Sequence, residues 1–208
     1  MIRILGRANS FNVRKVLWAC AELGLEFERE DWGRGFRPTT DPEFRALNPI
    51  GLVPAMIDGE SVLRESNTIV RYLFNRYAPA SPMYPSEPVA RARTEQWMDW
   101  ANYETSISLR GAFLGGMLKE PPWDHPWFVE RGRALITKEV GQLEEHLLSG
   151  GLYVAGDAFT VGDIPVGLVV NRWFHLDFER PRYGAVEKYY ERLSERPGYR
   201  AHVRNGLP

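Results

Sequence analysis

The stretch NPIGLVPAMIDGESVLRESNTIVRYL, from Asn48 to Leu73, decides the fold. Val53-Pro54 leads from a loop into the apolar triplet Ala55-Met56-Ile57. Asp58-Gly59 is a two-residue hairpin signal, and Ser61 to Leu63 reads as the returning strand. Glu65-Ser66 then opens a helix whose Ile69, Val70, Leu73 and Tyr77 share one face. A helix that starts where a strand ends presents free backbone N–H groups and the positive end of its dipole. With a hydroxyl and a carboxylate beside them, such a start can hold both charged ends of a small amino-acid-like ligand.

Working outward, Ile2 to Leu5 reads as a short strand. Val13, Val16, Leu17, Cys20 and Leu23 form a helical face that stops near Gly24. Leu25 to Glu30 is a second strand, and a strand, helix and strand in this order imply a right-handed parallel crossover. A run carrying Pro79, Pro82, Pro85 and Pro88 is too rich in proline for a helix and reads as a linker. Beyond it the patterns are helical, over about Val89–Lys119, Pro126–Leu148, Asp163–Leu176 and Tyr183–Ser194. Thr160 and Asp163 are spaced as a reciprocal capping box flanked by Phe159 and Ile164, with Thr160 expected to accept a helix N–H and Asp163 to accept the N–H of Thr160. The expected organisation is an α/β unit over 1–78, a linker over 79–88 and an all-helical unit over 89–208.

Composition narrows the function classes. Lys plus Arg number 26 against 27 Asp plus Glu, so no global charge draws the chain to nucleic acid or to a membrane surface. The single cysteine, Cys20, excludes an intramolecular disulfide framework and agrees with a reducing compartment. No apolar run approaches the ~18 residues that span a bilayer, and the N-terminal apolar stretch is too short for a signal peptide. A cytoplasmic protein is expected.

The Val-Pro step, the hairpin, the Glu-Ser helix start and the later Phe159–Ile164 box, in this order, resemble the cytosolic glutathione transferases over nearly the whole chain. The resemblance implies a thioredoxin-like α/β domain followed by an all-helical domain, with the active cleft between the two. It implies glutathione as co-substrate, a small electrophile as second substrate, no metal, and a homodimer. Such enzymes ionise a bound thiol, whose free pKa is about 8.5. Lowering that by about two units takes roughly 2.7 kcal/mol, within reach of one hydrogen bond to a charged group, about 1.5–3 kcal/mol. The resemblance offers two donors at the first strand-to-helix turn. One is Ser10, six residues before Val16, the spacing of serine-type members, which can also be a helix N-cap; the other is Asn12, through its amide. No tyrosine occurs before Tyr72, and Cys20 lies inside the first helix, so tyrosine and cysteine types are set aside.

Carried over in the same way, the Val53 backbone pairs with the cysteinyl part of glutathione like an added strand, with Pro54 as a cis-proline. Glu65 and Ser66 hold the γ-glutamyl end, and Asp99 reaches its ammonium across the dimer. Many relatives carry a lysine shortly before the Val-Pro step; here Ile50-Gly51-Leu52 has no cation, and Arg37 or Arg34 in the loop GRGFRPTT is the expected substitute. Arg7 and Arg110 are candidates for the electrophile site, and the aromatic residues Trp97, Trp100, Tyr103, Phe113, Trp123 and Trp127 are expected mainly in the core. Two other readings stay open: a non-catalytic ligand-binding or interaction protein of this fold, and a glutathione-dependent isomerase. The isomerase group carries Ser-Ser-Cys in the first turn, where this chain has Ala8-Asn9-Ser10.

Overall fold

The structure, a computed structural model, describes residues 1–206. The chain divides into two compact units, with the boundary between Tyr84 and Pro85, inside the expected linker. The first unit is built on a four-stranded sheet: β1 (Ile2–Leu5), β2 (Phe27–Glu30), β3 (Ala55–Asp58) and β4 (Ser61–Arg64), in the order β2-β1-β3-β4. β1 pairs parallel with β2 and antiparallel with β3, and β3 pairs antiparallel with β4. The parallel pair is joined by α1 (Phe11–Leu23), which Gly24 ends in the left-handed conformation at φ 62°. Because side chains alternate along a strand, the paired Leu5 and Ala55 share one face. There they form a buried cluster with Trp32 and with Phe44 of α2 (Pro42–Leu47). Ile4 and Met56, both fully buried, point to the opposite face. α1 packs against α3 (Ser66–Tyr77), whose apolar positions Ile69, Val70 and Leu73 are buried as their spacing predicts.

The hairpin differs from expectation by one residue. Asp58 pairs with Ser61, so Gly59-Glu60 is the loop, and Gly59 at φ 59° supplies the positive φ that a tight turn needs at its first central position. Asp58 instead accepts the hydroxyls of Tyr77 and Tyr72 at 2.6 and 2.8 Å, tying the hairpin to α3.

The second unit is helical. α4 (Pro88–Asp99) is capped by Glu87, whose carboxylate accepts the N–H groups of Val89 and Ala90. The long helix expected over 89–119 is interrupted. A π-helical turn (Trp100–Glu104), α5 (Thr105–Leu109) and a second π-helical turn (Arg110–Gly115) follow α4 in succession. α6 (Pro126–Ser149) packs on α5 and the second π turn so closely that a β-carbon on Gly132 would lie 2.7 Å from both Gly111 Cα and Ser108 O. α7 (Asp163–His175) is buried over nearly its whole length, and α8 (Gly184–Ser194) packs on α6 and α7. Phe113 is core as expected. Tyr103 (82% exposed) and Trp127 (56%) are not, because both stand on outward-facing helix positions.

The box at the start of α7 is present but runs partly in reverse. Asp163 Oδ2 accepts the Thr160 N–H at 2.8 Å, and it also accepts the Thr160 hydroxyl at 3.1 Å, so the hydroxyl donates instead of capping the helix. The reason is the buried carboxylate, which gathers two further donors on Oδ1, Val154 N–H and Tyr189 O–H. Burial pushes its carboxyl up to about 6 against those four donors.

A second correction concerns the C-terminal segment. α9 (Pro197–His202) belongs to the first unit, not to the helical one. Tyr199 packs on Trp18 of α1, with ring centroids 4.8 Å apart. Arg14 of α1, fully buried, donates from Nε to the carbonyl of His202 at 2.7 Å and from Nη2 to the carbonyl of Val203.

Candidate glutathione site

Two helix starts and one loop converge within the first unit. Asn12 of α1, the 48–54 loop, and Arg64, Glu65 and Ser66 at the junction of β4 and α3 line a single cleft. Its floor is set by Asn48, which is buried. The Asn48 amide donates to Leu52 O at 2.7 Å and its Oδ1 accepts the Ile50 N–H at 3.1 Å, fixing the loop that delivers Val53. Val53-Pro54 is cis. Among the described residues, the N–H and C=O of Val53 meet no partner. A backbone donor and acceptor placed together in this way form a strand edge on which an extended peptide can add.

Glu65 has φ 66° and ψ 108°, a left-handed conformation that is uncommon for a residue with a side chain. Such backbone costs on the order of 1–3 kcal/mol and clusters at ligand sites. Here it lets the chain leave β4 and enter α3 within one residue. Glu65 and Ser66 both line the cleft, and the Glu65 carbonyl begins the helix by accepting the Ile69 N–H. Neither α1 nor α3 carries an acidic residue in its first turn, so two positive helix ends stand available to anions.

The two candidate thiol donors differ in placement. Asn12 lines the cleft, and its Oδ1 accepts the Ser66 hydroxyl at 3.4 Å, which leaves the amide NH₂ as a donor. Ser10 is the N-cap of α1, buried to 6% exposure. Its side chain makes no capping hydrogen bond, and it is not among the described residues that line the cleft. The Cys20 thiol is fully buried, and burial pushes it up to about 12, so it is not a reactive thiolate.

Other expected residues lie elsewhere. Arg37 pairs with Glu43 at 2.6 Å and Asp41 at 3.2 Å, and its guanidinium sits 4.1 Å above the Trp32 ring; hydrogen bonding to Glu43 raises it above the ordinary arginine value. Those partners hold it in its own loop. Arg7 lies against the turn at Gly33, and its N–H and carbonyl bond to Trp32 O and Ser10 N. Asp99 and Arg110 are exposed residues of the helical unit, with Arg110 5.3 Å from the centroid of the Trp123 ring. Two polar cleft residues, Asn48 and Arg64, escaped the sequence reading. Asn48 could have been found from the Asn-Pro-x-Gly turn in which it sits; Arg64 is placed by its cross-strand pairing with Ala55, which the sequence alone does not give.

Comparison with known proteins agrees with this geometry. Residues 5–81 match the family model for the glutathione S-transferase N-terminal domain. The chain is 37% identical to glutathione S-transferase GstB of Escherichia coli over 96% of each chain. It is 29% identical to the dichloromethane dehalogenase of Methylorubrum extorquens, over 85% of this chain and 65% of that one. A solved structure of the theta class glutathione S-transferase from Xanthomonas axonopodis pv. citri, with glutathione bound, superposes with a TM-score of 0.87 at 38% identity, covering 100% of this chain and 99% of the other. With a thioredoxin-like unit, a helical unit and these relatives, the chain belongs to the glutathione S-transferase family.

Proposed function

We propose that this glutathione transferase binds glutathione in the first-unit cleft and ionises its thiol with the Asn12 amide as donor, for attack on a small electrophile. The observation that carries the reading is the convergence on one cleft of the cis Val53-Pro54 loop, Glu65 in its left-handed conformation, the Ser66 helix start and Asn12. The open Val53 backbone suits the cysteinyl residue of an extended tripeptide. The Ser66 N–H at the positive end of α3 suits the γ-glutamyl carboxylate, and Glu65 suits the ammonium. A thiol placed near the start of α1 meets the positive end of that helix and the Asn12 NH₂ together. The helix start contributes about 0.3–1 kcal/mol and a hydrogen bond to the anion about 1.5–3 kcal/mol, which suffices for a shift of one to two units.

The reaction is conjugation or displacement of halide; the dehalogenase relative supports including the second. Asp99, Arg7 and Arg110 keep their assignments to the ammonium and the electrophile on the resemblance alone. A cytoplasmic location agrees with the single, unbridged cysteine, and a detoxifying role rests on the resemblance alone. A homodimer agrees with the apolar surface that Tyr103 and Ile107 expose. The test is steady-state conjugation of an aryl halide. Glu65→Ala and Ser66→Ala are expected to raise the KM for glutathione at least tenfold, and Asn12→Ala to lower kcat. A wild type that binds glutathione but conjugates no electrophile would favour the non-catalytic reading.

A further inference from the structure

We infer that Arg64 is the cation with which this cleft takes the glycyl carboxylate of glutathione, and so sets its preference for a tripeptide with both carboxylates free. The inference rests on the reading of the cleft above and adds a residue to it. Arg64 is the last residue of β4 and pairs with Ala55, the residue that follows cis Val53-Pro54. Paired residues of an antiparallel ladder project from the same face. The guanidinium therefore leaves the sheet on the side of the 48–54 loop, where it lines the cleft with Ile50 and Leu52.

Charge counting favours the assignment. At neutral pH glutathione carries one ammonium and two carboxylates. Among the described residues lining the cleft, Glu65 is the one anionic side chain and Arg64 the one cationic side chain. Glu65 matches the ammonium and the start of α3 matches one carboxylate, which leaves Arg64 for the other. The other cations near the loop are engaged: Arg37 is held by Glu43 and Asp41, and the Arg45 guanidinium lies against Gly51, donates to the Pro49 carbonyl and does not line the cleft. Arg64 is suitably held for capture. Its side chain is 51% exposed, and Nη1 stands 3.7 Å from Glu65 Oε1, a loose pairing that engages one edge of a five-donor fork. A guanidinium so placed can turn a second edge to a carboxylate in bidentate fashion.

The test is calorimetric titration of wild type, Arg64→Gln and Arg64→Lys with three ligands. These are glutathione, its glycyl ethyl ester, and γ-aminobutyryl-cysteinyl-glycine, which keeps the amine and lacks the γ-glutamyl carboxylate. Wild type is expected to prefer glutathione over the ester by about tenfold, equivalent to about 1.4 kcal/mol. Arg64→Gln is expected to lose that preference by weakening glutathione and leaving the ester unchanged, and Arg64→Lys to retain part of it. If Arg64→Gln keeps the tenfold preference, or weakens both ligands equally, the assignment is overturned while the reading of the cleft stands. If the substitution instead abolishes discrimination against the γ-aminobutyryl peptide, Arg64 reads the other carboxylate and the glycyl assignment is wrong. Failure of wild type to bind any of the three overturns the reading of the cleft and this inference with it.

Discussion

Replacing Arg14 by methionine tests how the end of the chain holds α1, the helix whose start carries Ser10 and Asn12. Arg14 is fully buried and donates to the carbonyls of His202 and Val203 and, at 3.2 Å, to Asn205 Oδ1. The His202 carbonyl ends α9 and Val203 follows it, so the guanidinium meets the negative end of that helix, where backbone carbonyls lack intrahelical partners. Methionine keeps much of the aliphatic stem and removes every donor. The two hydrogen bonds to the carbonyls alone, from a charged group, are worth about 3–6 kcal/mol gross. The regained hydration of a buried charge offsets part of this, leaving about 3 kcal/mol. At 1.36 kcal/mol per decade, local opening of α9 should rise about 150-fold. Native-state hydrogen exchange reads this directly at the amides of Val203 and Arg204, which bond Tyr199 O at 2.8 and 2.9 Å. Arg14→Lys, able to reach fewer acceptors, should show about a tenfold rise. Less than a fivefold change at both amides in Arg14→Met, or an equal rise throughout the chain, would refute the clamp.

Gly132→Ala should lower Tm by about 2–12 °C in scanning calorimetry, since overpacking costs about 1–3 kcal/mol and the neighbours a β-carbon would meet are backbone atoms of Ser108, Gly111 and Ala112. Gly184→Ala, with nothing within 4 Å of the new carbon, is the control and should not lower Tm. Tyr77→Phe should raise the Asp58 pKa, because the Tyr77 hydroxyl is the largest of the influences holding that carboxyl below its ordinary value. The depressed native value means that the Asp58 contribution is complete above the unfolded value of about 3.9. It is lost as pH falls through the native value, so Tyr77→Phe should lose less stability on acidification. A carboxyl-carbon NMR titration that finds no shift in the Asp58 midpoint would contradict the assignment.

Local chemistry made the first unit legible. Ile2 to Leu5 read as β1 to the residue, Gly24 stopped α1 as its φ of 62° requires, and the Glu-Ser pair placed the start of α3. What escaped was short or long-range. α2 and α9 have six residues each, too few for a helical period to register. The Asp41-Pro42 cap, with Asp41 accepting the Glu43 N–H at 2.9 Å, was the available signal for α2. The return of α9 to α1 joins residues 188 positions apart and leaves no local trace. The two π turns add residues that a 3.6-residue period hides, although Gly111 and Gly115 mark the close approach beside the second. At the site, motifs named Val53, Glu65 and Ser66. Separating Asn12 from Ser10 required knowing which side chain faces the cleft, and Arg64 required the cross-strand register with Ala55.

Thiolate absorbance of bound glutathione, titrated against pH in wild type, Ser10→Ala and Asn12→Ala, tests the central claim most directly. The bound thiol is expected at least about one unit below the free value of about 8.5, returned toward that value by Asn12→Ala and left in place by Ser10→Ala. A wild-type thiol that titrates at the free value, or a shift that Ser10→Ala alone abolishes, would contradict that claim.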